Sequence, residues 1–244
     1  MKVAFIAPNE AIPKLVPTGY YLALPWNIRL YEDQPGYIIL DNGAAEGHEL
    51  DWDNYIDLAI MHGVNELVIP DVLREYHKSR MHCQVFIEEY YSQLDKPVHL
   101  MGVVQGDNLN EFRLAALDYA ALSEVQTLGV PKHMTRTLKN SWARIEFIQW
   151  LMDEGIEDTF DNGIHCLGAT DWVREVRVLS ELPIVRGIDT SVPAIAALEG
   201  KNIEDLHLRH ERRPNFFEHE LSLTDIGYLT HNQTVYMRWA DGTI

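Results

Sequence analysis

Three aspartates of this chain each end a short apolar run: Asp41 follows Tyr-Ile-Ile-Leu, Asp71 follows Leu-Val-Ile-Pro, and Asp189 follows Ile-Val-Arg-Gly-Ile. A fourth run, residues 99–104, ends in the carboxamide of Gln105. In a repeating strand–helix chain, polar groups at the carboxyl ends of the strands converge on one mouth, where barrel enzymes hold their catalytic groups. A carboxamide there can present a donor and an acceptor to the edge of a base. The sequence therefore predicts one site with three carboxylates and one carboxamide.

Each of the three aspartates also has a local alternative role. Asp41 is followed by Asn-Gly-Ala-Ala-Glu-Gly, where its carboxylate can close an Asx turn while the small residues let the backbone approach a flat ligand. Asp71 and Asp189 each precede a helix, where a carboxylate can cap the first turn. Gln105 has little local use. Because the local roles are independent but all four residues share the strand-end position, we favour a common site.

The elements that must position these residues alternate along the chain. Apolar, β-branched runs predict seven strands, at residues 2–6, 37–40, 66–69, 98–105, 127–130, 164–167 and 184–188. Amphipathic spacing predicts helices near residues 51–62, 72–93, 108–123, 138–154, 171–181 and 192–199. Helical connections of this length imply right-handed crossovers and a mostly parallel sheet that is buried on both faces.

We therefore expect an α/β fold, a TIM-like (β/α)8 barrel with room for irregularity, and a single domain over residues 1–244. An open doubly wound sheet is the main alternative, but no glycine-rich phosphate loop follows the first strand. Residues 13–35 are predicted to be an irregular, aromatic-rich insertion. Beyond residue 200 the alternation fades, and residues 201–244 are predicted to form a C-terminal extension, in which 222–239 is a helix or a pair of strands.

The composition excludes several classes of protein. No stretch approaches the roughly 18 uninterrupted apolar residues of a membrane span, and the opening apolar stretch is too short for a signal peptide. We therefore expect a soluble, cytoplasmic protein with no membrane partner. Cys83 and Cys166 are predicted to be buried thiols, since two cysteines cannot build a disulfide framework or a Cys-rich zinc site. The 11 histidines lack metal-ligand spacing, so we expect no metal and no cofactor.

The net charge of −17 argues against general adhesion to nucleic acid, because nonspecific affinity comes from lysines and arginines that neutralise phosphates. Any contact with nucleic acid would therefore use local basic patches. The sequence contains two such patches, Lys132, His133 and Arg136 in the first, and Arg209, Arg212 and Arg213 in the second. In a chain this acidic, both patches are also interpretable as ordinary solvated faces.

Several of these motifs resemble those of tRNA-guanine transglycosylases. Gly-Val-Val-Gln-Gly at 102–106 is similar to the family's Gly-Ile-Val-Gln-Gly, and Leu-Asp-Asn-Gly-Ala at 40–44 is similar to its Asp-Ser-Gly-Gly-Phe segment. Asp71 falls where the family has its second strand-end aspartate, and Asp189 falls where it has its late nucleophile. The order and spacing of the motifs match over residues 36–200.

The departures from the tRNA enzymes point to a particular branch. Their C-terminal zinc subdomain, built from three clustered cysteines and a histidine, cannot be present in a chain with two cysteines. The compact length, Ile-Leu-Asp-Asn-Gly-Ala-Ala-Glu at 39–46 and Leu-Gly-Val-Pro-Lys at 128–132 are more similar to phage-type, DpdA-like enzymes that put 7-deazaguanines into DNA. Such a phage-encoded protein would act in the host cytoplasm. Ala44 and Ala45 stand where the tRNA enzymes have an aromatic stacking residue.

The resemblance implies a glycosyltransferase, a guanine/7-deazaguanine transglycosylase that exchanges guanine in nucleic acid for a base such as preQ0. Asp189 would attack C1′ of the target nucleotide and hold a covalent glycosyl intermediate. Asp41 would handle the proton of the departing guanine and then of the incoming base, as paired carboxylates roughly 5 Å apart do in retaining glycosidases. Both carboxylates can act as nucleophiles, so these two roles can be exchanged.

The resemblance also assigns the binding of the base. Asp71 and Gln105 would read the guanine-like edge, and the backbone around Gly129 would complete the contact. The remaining substrate-binding residues would be Asn42, Gly43 and Gly106. The basic patches would bind the phosphates of the nucleic acid, with DNA favoured over tRNA.

Other functions use the same residues. A tRNA-guanine transglycosylase-like enzyme would act on RNA, and a nucleoside hydrolase would release a free sugar instead of forming a new glycosidic bond. A non-catalytic nucleic-acid-binding subunit is a third alternative, because so acidic a chain binds nucleic acid poorly without help. For any of these functions, a homo-oligomer or an accessory protein is a further expected partner.

Overall fold

A computed structural model describes residues 1–94, 97–169, 173–205, 212 and 214–243 of the chain. Eight parallel strands form one sheet that curls into a nearly closed barrel, and helices surround this barrel. The predicted α/β barrel is therefore confirmed.

The strands and helices of the described residues alternate for most of the chain. The strands are β1 Lys2–Phe5, β2 Tyr20–Ala23, β3 Tyr37–Leu40, β4 Glu66–Val68, β5 His99–Val103, β6 Val125–Pro131, β7 Ile164–Leu167 and β8 Val185–Thr190. The helices are α1 Trp52–His62, α2 Tyr76–Val85, α3 Leu109–Ala120, α4 His133–Thr137, α5 Ala143–Asp153, α6 Val173–Glu181, α7 Val192–Leu198 and α8 Leu223–Ala240. All seven predicted strands are present.

The eighth strand, β2, corrects the prediction of an irregular insertion at residues 13–35. All four residues of β2 are buried, and the strand pairs in parallel with β3. Short 3₁₀ segments, Asn9–Lys14 and Ile28–Tyr31, flank β2 where a regular barrel has long helices. Because β2 reads Tyr-Tyr-Leu-Ala, it lacks the β-branched residues that mark the other strands, and no amphipathic helix beside it sets the alternation.

The barrel closes between its first two strands. Hydrogen-bonded neighbours run in the order β1-β8-β7-β6-β5-β4-β3-β2, and the two end strands β1 and β2 lie against each other. The carboxyl ends of all eight parallel strands therefore point to the same end of the barrel.

Two predicted helices are interrupted in the structure. The helix predicted at 72–93 begins only at α2 and then widens into a π-helical turn, Phe86–Tyr90. The helix predicted at 138–154 starts at α5 instead, because Lys139 has a positive φ of 51° and ends the short helix α4. The side chain of Asn140 accepts a hydrogen bond from the backbone N–H of Trp142 at 2.9 Å, as expected near a helix start.

The C-terminal extension ends in a helix and not in strands. Ser222 and Asp225 form a capping box at the start of α8, which fixes where this helix begins. Helix α8 packs against α6, α7 and β1. The extension therefore completes the helical layer over the first and last strands.

The two cysteines are buried thiols, as the sequence predicts. Cys83 and Cys166 are buried and unpaired, and burial raises the pKa of each to about 12. In the part of the chain that the structure describes, no helix combines the length and the apolar character needed to cross a bilayer.

Candidate active site

The carboxyl ends of the strands open into a cavity of about 560 Å³. Asp41 follows β3, Asp71 follows β4, Gln105 follows β5, and Asp189 lies near the end of β8. All four of these side chains line the cavity. The structure thus brings together four residues that are far apart in the sequence.

Asp71 lies between two amide side chains. The Nδ2 of Asn42 donates to Asp71 Oδ1 at 2.7 Å, and the Nε2 of Gln105 donates to Asp71 Oδ2. Burial raises the pKa of Asp71 to about 6, although both amide donors lower it. Helix α2 begins several residues later with Glu75 as its N-cap, so the alternative role of Asp71 as a helix cap is wrong.

The amide of Gln105 has a fixed orientation. Its Oε1 accepts a hydrogen bond from the backbone N–H of Arg74 at 2.9 Å, so its Nε2 must face Asp71. Arg74 holds this N–H in place with a positive φ of 64°, and its guanidinium forms an ion pair with Asp107 at 2.6 Å. The pair of Asp71 and Gln105 therefore presents an acceptor and a donor side by side.

Asp41 has both its local role and a place in the cavity. Its Oδ1 accepts from the backbone N–H of Gly43 at 3.1 Å, which is the predicted Asx turn. Burial, together with the neighbouring charges of Glu46, Asp189 and Asp71, raises the pKa of Asp41 to about 8, although the Gly43 N–H lowers it. Asp41 therefore keeps its proton at neutral pH and can act as an acid.

The strand ends under Asp41 are tied together by a tyrosine. The hydroxyl of Tyr55, on α1, lies 2.7 Å from the carbonyl of Leu40 and 2.9 Å from that of Val68. This side chain links the ends of β3 and β4, and so fixes the spacing between the loops that carry Asp41 and Asp71.

The Asp189 side chain is held by a backbone N–H that directly follows the neighbouring strand, β7. Its side chain is almost fully buried, and its Oδ1 accepts from the backbone N–H of Gly168 at 2.8 Å. Arg144 fixes the Gly168 peptide, because its guanidinium donates to the Gly168 carbonyl at 2.7 Å and pairs with the buried Glu175 at 2.8 Å. Helix α7 takes Ser191 as its N-cap, so Asp189 is not a helix cap either.

Four further residues were predicted to contact the substrate, and one of them, Asn42, lines the cavity. The three glycines, Gly43, Gly106 and Gly129, are not among the residues that line the cavity, and each has a local reason to be glycine. A Cβ at Gly106 would lie 2.6 Å from Glu111, and a Cβ at Gly129 would lie 2.9 Å from Val103. Gly43 has a positive φ of 75°, which permits the turn after Asp41.

The first basic patch reaches the cavity, and its positive charge comes from Lys132 and Arg136. Lys132, His133 and Arg136 all line the cavity. Burial, and then the nearby Arg74 guanidinium, lower the pKa of His133 to about 4. His133 is therefore neutral at pH 7, so it can offer a phosphate a hydrogen bond but no positive charge.

The second basic patch is described only at Arg212, because Arg209 and Arg213 lie outside the described residues. Arg212 lines the cavity, but its guanidinium pairs with Glu46 at 2.5 Å and donates to Ser191 Oγ at 3.2 Å. Arg212 therefore links the loops after β3 and β8, and a phosphate would have to compete with Glu46 for it.

Sequence reasoning missed the residues that orient the site. Arg74 donates its own backbone N–H to the Gln105 side chain, whereas Tyr55 and Arg144 donate to backbone carbonyls of other segments. No local pattern in the sequence marks these three residues. His165 lies in β7, which was predicted as a strand at residues 164–167, but its imidazole also approaches Asp189, which the sequence did not indicate.

Within the described ranges, no group of three or more His, Cys, Asp or Glu side chains is arranged to hold a metal ion. The chain matches no protein-family model, and no curated protein matches it. A functional assignment therefore depends on the motifs and on the geometry of the cavity.

Proposed function

We propose that the protein is a transglycosylase that exchanges guanine in nucleic acid, with DNA favoured over tRNA, for a 7-deazaguanine such as preQ0. One observation carries this proposal: the oriented pair of Asp71 and Gln105 and the two carboxylates of Asp41 and Asp189 line the same cavity. Base exchange needs side chains that recognise the base and a pair of reactive carboxylates. We call the pair of Asp71 and Gln105, which would recognise the base, the base reader.

The polarity of the reader favours guanine over adenine. The carboxylate of Asp71 can accept from N1–H and the exocyclic amine of guanine, while the Nε2 of Gln105 can donate to O6. Adenine would instead place an unprotonated ring nitrogen against the carboxylate. A 7-deazaguanine keeps the guanine edge, so both the departing and the incoming base fit one reader.

The two carboxylates can divide the chemistry. Asp189, as the carboxylate, would attack C1′ while the bond from C1′ to N9 breaks and its electron pair leaves with guanine. Asp41, protonated because of its raised pKa of about 8, would donate a proton to the departing base. Asp41 would then take a proton from the incoming base as its N9 attacks C1′ and releases Asp189. Two displacements at one carbon retain its configuration.

The nucleotide must leave the duplex, or be met unpaired, before C1′ can reach the cavity, and extrusion costs a few kcal/mol. Lys132 and Arg136 line the cavity and are the cations placed to approach a phosphate. With a net charge of −17, the rest of the surface repels nucleic acid, and so few cations displace few counterions, so we expect affinity for nucleic acid to be weak and to fall only shallowly with salt.

The test is an exchange assay with guanine-labelled single-stranded DNA, duplex DNA and tRNA, each incubated with the protein and preQ0. We expect release of labelled guanine together with incorporation of preQ0 into DNA. Release without incorporation would identify a hydrolase, and exchange confined to tRNA would identify the RNA-acting alternative. Binding without any release, measured by mobility shift at low and high salt, would identify a non-catalytic subunit.

Asp71→Asn should weaken recognition of the base. The substitution replaces a charged acceptor by a neutral amide, and a hydrogen bond to a charged group contributes about 1.5–3 kcal/mol. We expect KM for the incoming base to rise by about 10–100-fold. Steady-state exchange kinetics measure this effect, and Asp153→Asn, at an exposed position on α5, is the matched control. An unchanged KM in Asp71→Asn would remove this residue from the reader.

The pH dependence of exchange should be bell-shaped. As pH rises through about 8, Asp41 loses the proton that the departing guanine needs. As pH falls through about 6, Asp71 gains a proton and loses its acceptor character. Single-turnover release of labelled guanine across this range should therefore peak between these two values. A rate that continues to rise above pH 8 would contradict the acid role of Asp41.

A further inference from the structure

A buried chain of hydrogen-bonding side chains runs down from Asp189 into the barrel. The Nε2 of His165, on β7, lies 3.4 Å from Asp189 Oδ1, and its Nδ1 lies 2.7 Å from the hydroxyl of Tyr20, on β2. The exposed fractions of Asp189, His165 and Tyr20 are 5%, 0% and 1%. These contacts are therefore shielded from water, and electrostatic interactions are stronger in such a buried environment than in solvent.

The chemistry of the two partners fixes which ring nitrogen carries the proton. An ionised Asp189 can only accept, so a neutral His165 must carry its proton on Nε2. Nδ1 then accepts from Tyr20, whose hydroxyl keeps its proton because burial raises the pKa of Tyr20 far above its usual range. Tyr20 donates to His165, and His165 donates to Asp189.

The lower end of this chain is rigid. The Tyr20 ring stacks on Tyr37 with centroids 5.8 Å apart, and the guanidinium of Arg186 lies over the same ring at 5.5 Å. Arg186 in turn pairs with the fully buried Glu66 at 2.6 Å. Because Tyr20 is packed in this way, its hydroxyl can hold the imidazole in one orientation.

We propose that His165 is a positioning residue for the nucleophile and that Tyr20 sets its tautomer. This inference depends on the proposed function, because it concerns how Asp189 attacks C1′. His165 Nε2–H and the Gly168 N–H converge on Oδ1 of Asp189. Held in this way, the carboxylate would attack C1′ with its other oxygen, Oδ2. The chain transfers no proton; it fixes the rotation of the carboxylate.

Three substitutions separate positioning from simple packing. His165→Leu removes both ring nitrogens, His165→Gln keeps a side-chain donor, and Tyr20→Phe removes one hydroxyl from an otherwise unchanged ring. We expect His165→Leu to lower kcat for exchange by about 10–100-fold, as loss of an orienting partner does at other sites. KM for the incoming base should stay within about twofold, since Asp71 and Gln105 do not contact His165.

The expected pattern among the variants includes a rescue. His165→Gln should recover most of kcat, and Tyr20→Phe should lower kcat less than His165→Leu does. His99→Gln is the matched control, because His99 is the first residue of β5 and lies at the opposite end of the barrel from the cavity. Long-range proton–nitrogen NMR of histidine-labelled protein should show the Nε2–H tautomer for His165 in the wild type and a mixture in Tyr20→Phe.

Several outcomes would overturn the inference while leaving the proposed function intact. These are a wild-type kcat in His165→Leu, equal losses in the Leu and Gln variants, or an Nδ1–H tautomer in the wild-type protein. If the wild-type protein itself exchanges no guanine with any nucleic acid, the proposed function fails, and the inference fails with it. Thermal denaturation of each variant identifies losses that come from unfolding.

Discussion

Asp189→Ala is expected to abolish base exchange, with a loss of at least about 10⁴-fold in kcat, because removal of a nucleophile eliminates the covalent route. The residue lies almost fully buried at the end of β8, with its Oδ1 fixed by the Gly168 N–H. An alanine leaves the Gly168 N–H without its acceptor. Because alanine is smaller than aspartate, it does not occupy the space that the base needs. Binding of the free base should therefore change little, since Asp71 and Gln105 remain. Labelled-guanine exchange and equilibrium binding of preQ0 measure the two effects.

Asp189→Asn is the isosteric companion to this variant. It keeps the shape of the side chain but cannot attack C1′ as a carboxylate, so it should be as inactive as Asp189→Ala. Normal exchange in either variant would show that Asp189 is not the nucleophile. If Asp41→Ala alone abolished formation of the covalent intermediate while Asp189→Ala still formed it, the two roles would have to be exchanged.

Asp41→Asn should lower exchange by about 10²–10⁴-fold and at the same time make the fold more stable. Burial and neighbouring carboxylates raise the folded-state pKa of Asp41 to about 8 from an ordinary value of 3.8. Between these values the folded state holds a proton that the unfolded state has lost. The free energy of unfolding therefore falls as pH rises through this window, by up to about 1.4 kcal/mol per pH unit for this one group.

An asparagine does not titrate, so the variant escapes this loss. The melting temperature of Asp41→Asn should exceed that of the wild type at pH 8, and the difference should shrink as pH falls toward 4. Calorimetry at several pH values measures the trend, with Asp153→Asn as the exposed control. A wild type that is more stable than Asp41→Asn at pH 8 would show that the Asp41 carboxyl is not destabilised by its surroundings.

The sequence contained enough to place the strand-end residues. Parallel strands present their carboxyl ends on one side, so the runs before Asp41, Asp71 and Asp189 were sufficient to bring these carboxylates together. The strand β2 was missed because Tyr-Tyr-Leu-Ala has no β-branched residue and because 3₁₀ segments replace the adjacent helices.

The orientation of the site could not be predicted in the same way. The N–H of Arg74 reaches Gln105 only because its backbone adopts a positive φ, which no local pattern in the sequence indicates. His165 reaches Asp189 through the register of β7 against β8, and it reaches Tyr20 across the barrel. These contacts depend on the tertiary structure, whereas the types of the reactive side chains can be read directly from the sequence.

The composition also could not predict how much positive charge the basic patches present at the cavity. Lys132 and Arg136 reach the cavity as the patch predicted, but burial keeps His133 neutral and Glu46 already pairs with Arg212. Since the described residues place few cations at the cavity against a net charge of −17, an accessory protein that brings positive charge would increase activity on duplex DNA. Activity on short unpaired DNA should depend least on such help.

The central claim is a covalent bond between Asp189 and C1′ of the target nucleotide. Its most direct test is to incubate the protein with a guanine-containing DNA oligonucleotide in the absence of incoming base, denature it, and map any adduct by mass spectrometry. We expect an oligonucleotide that lacks one guanine and is attached to the peptide that contains Asp189. Addition of preQ0 should release this oligonucleotide with preQ0 in place of guanine. Guanine exchange without any adduct, or an adduct mapped to Asp41, would contradict it.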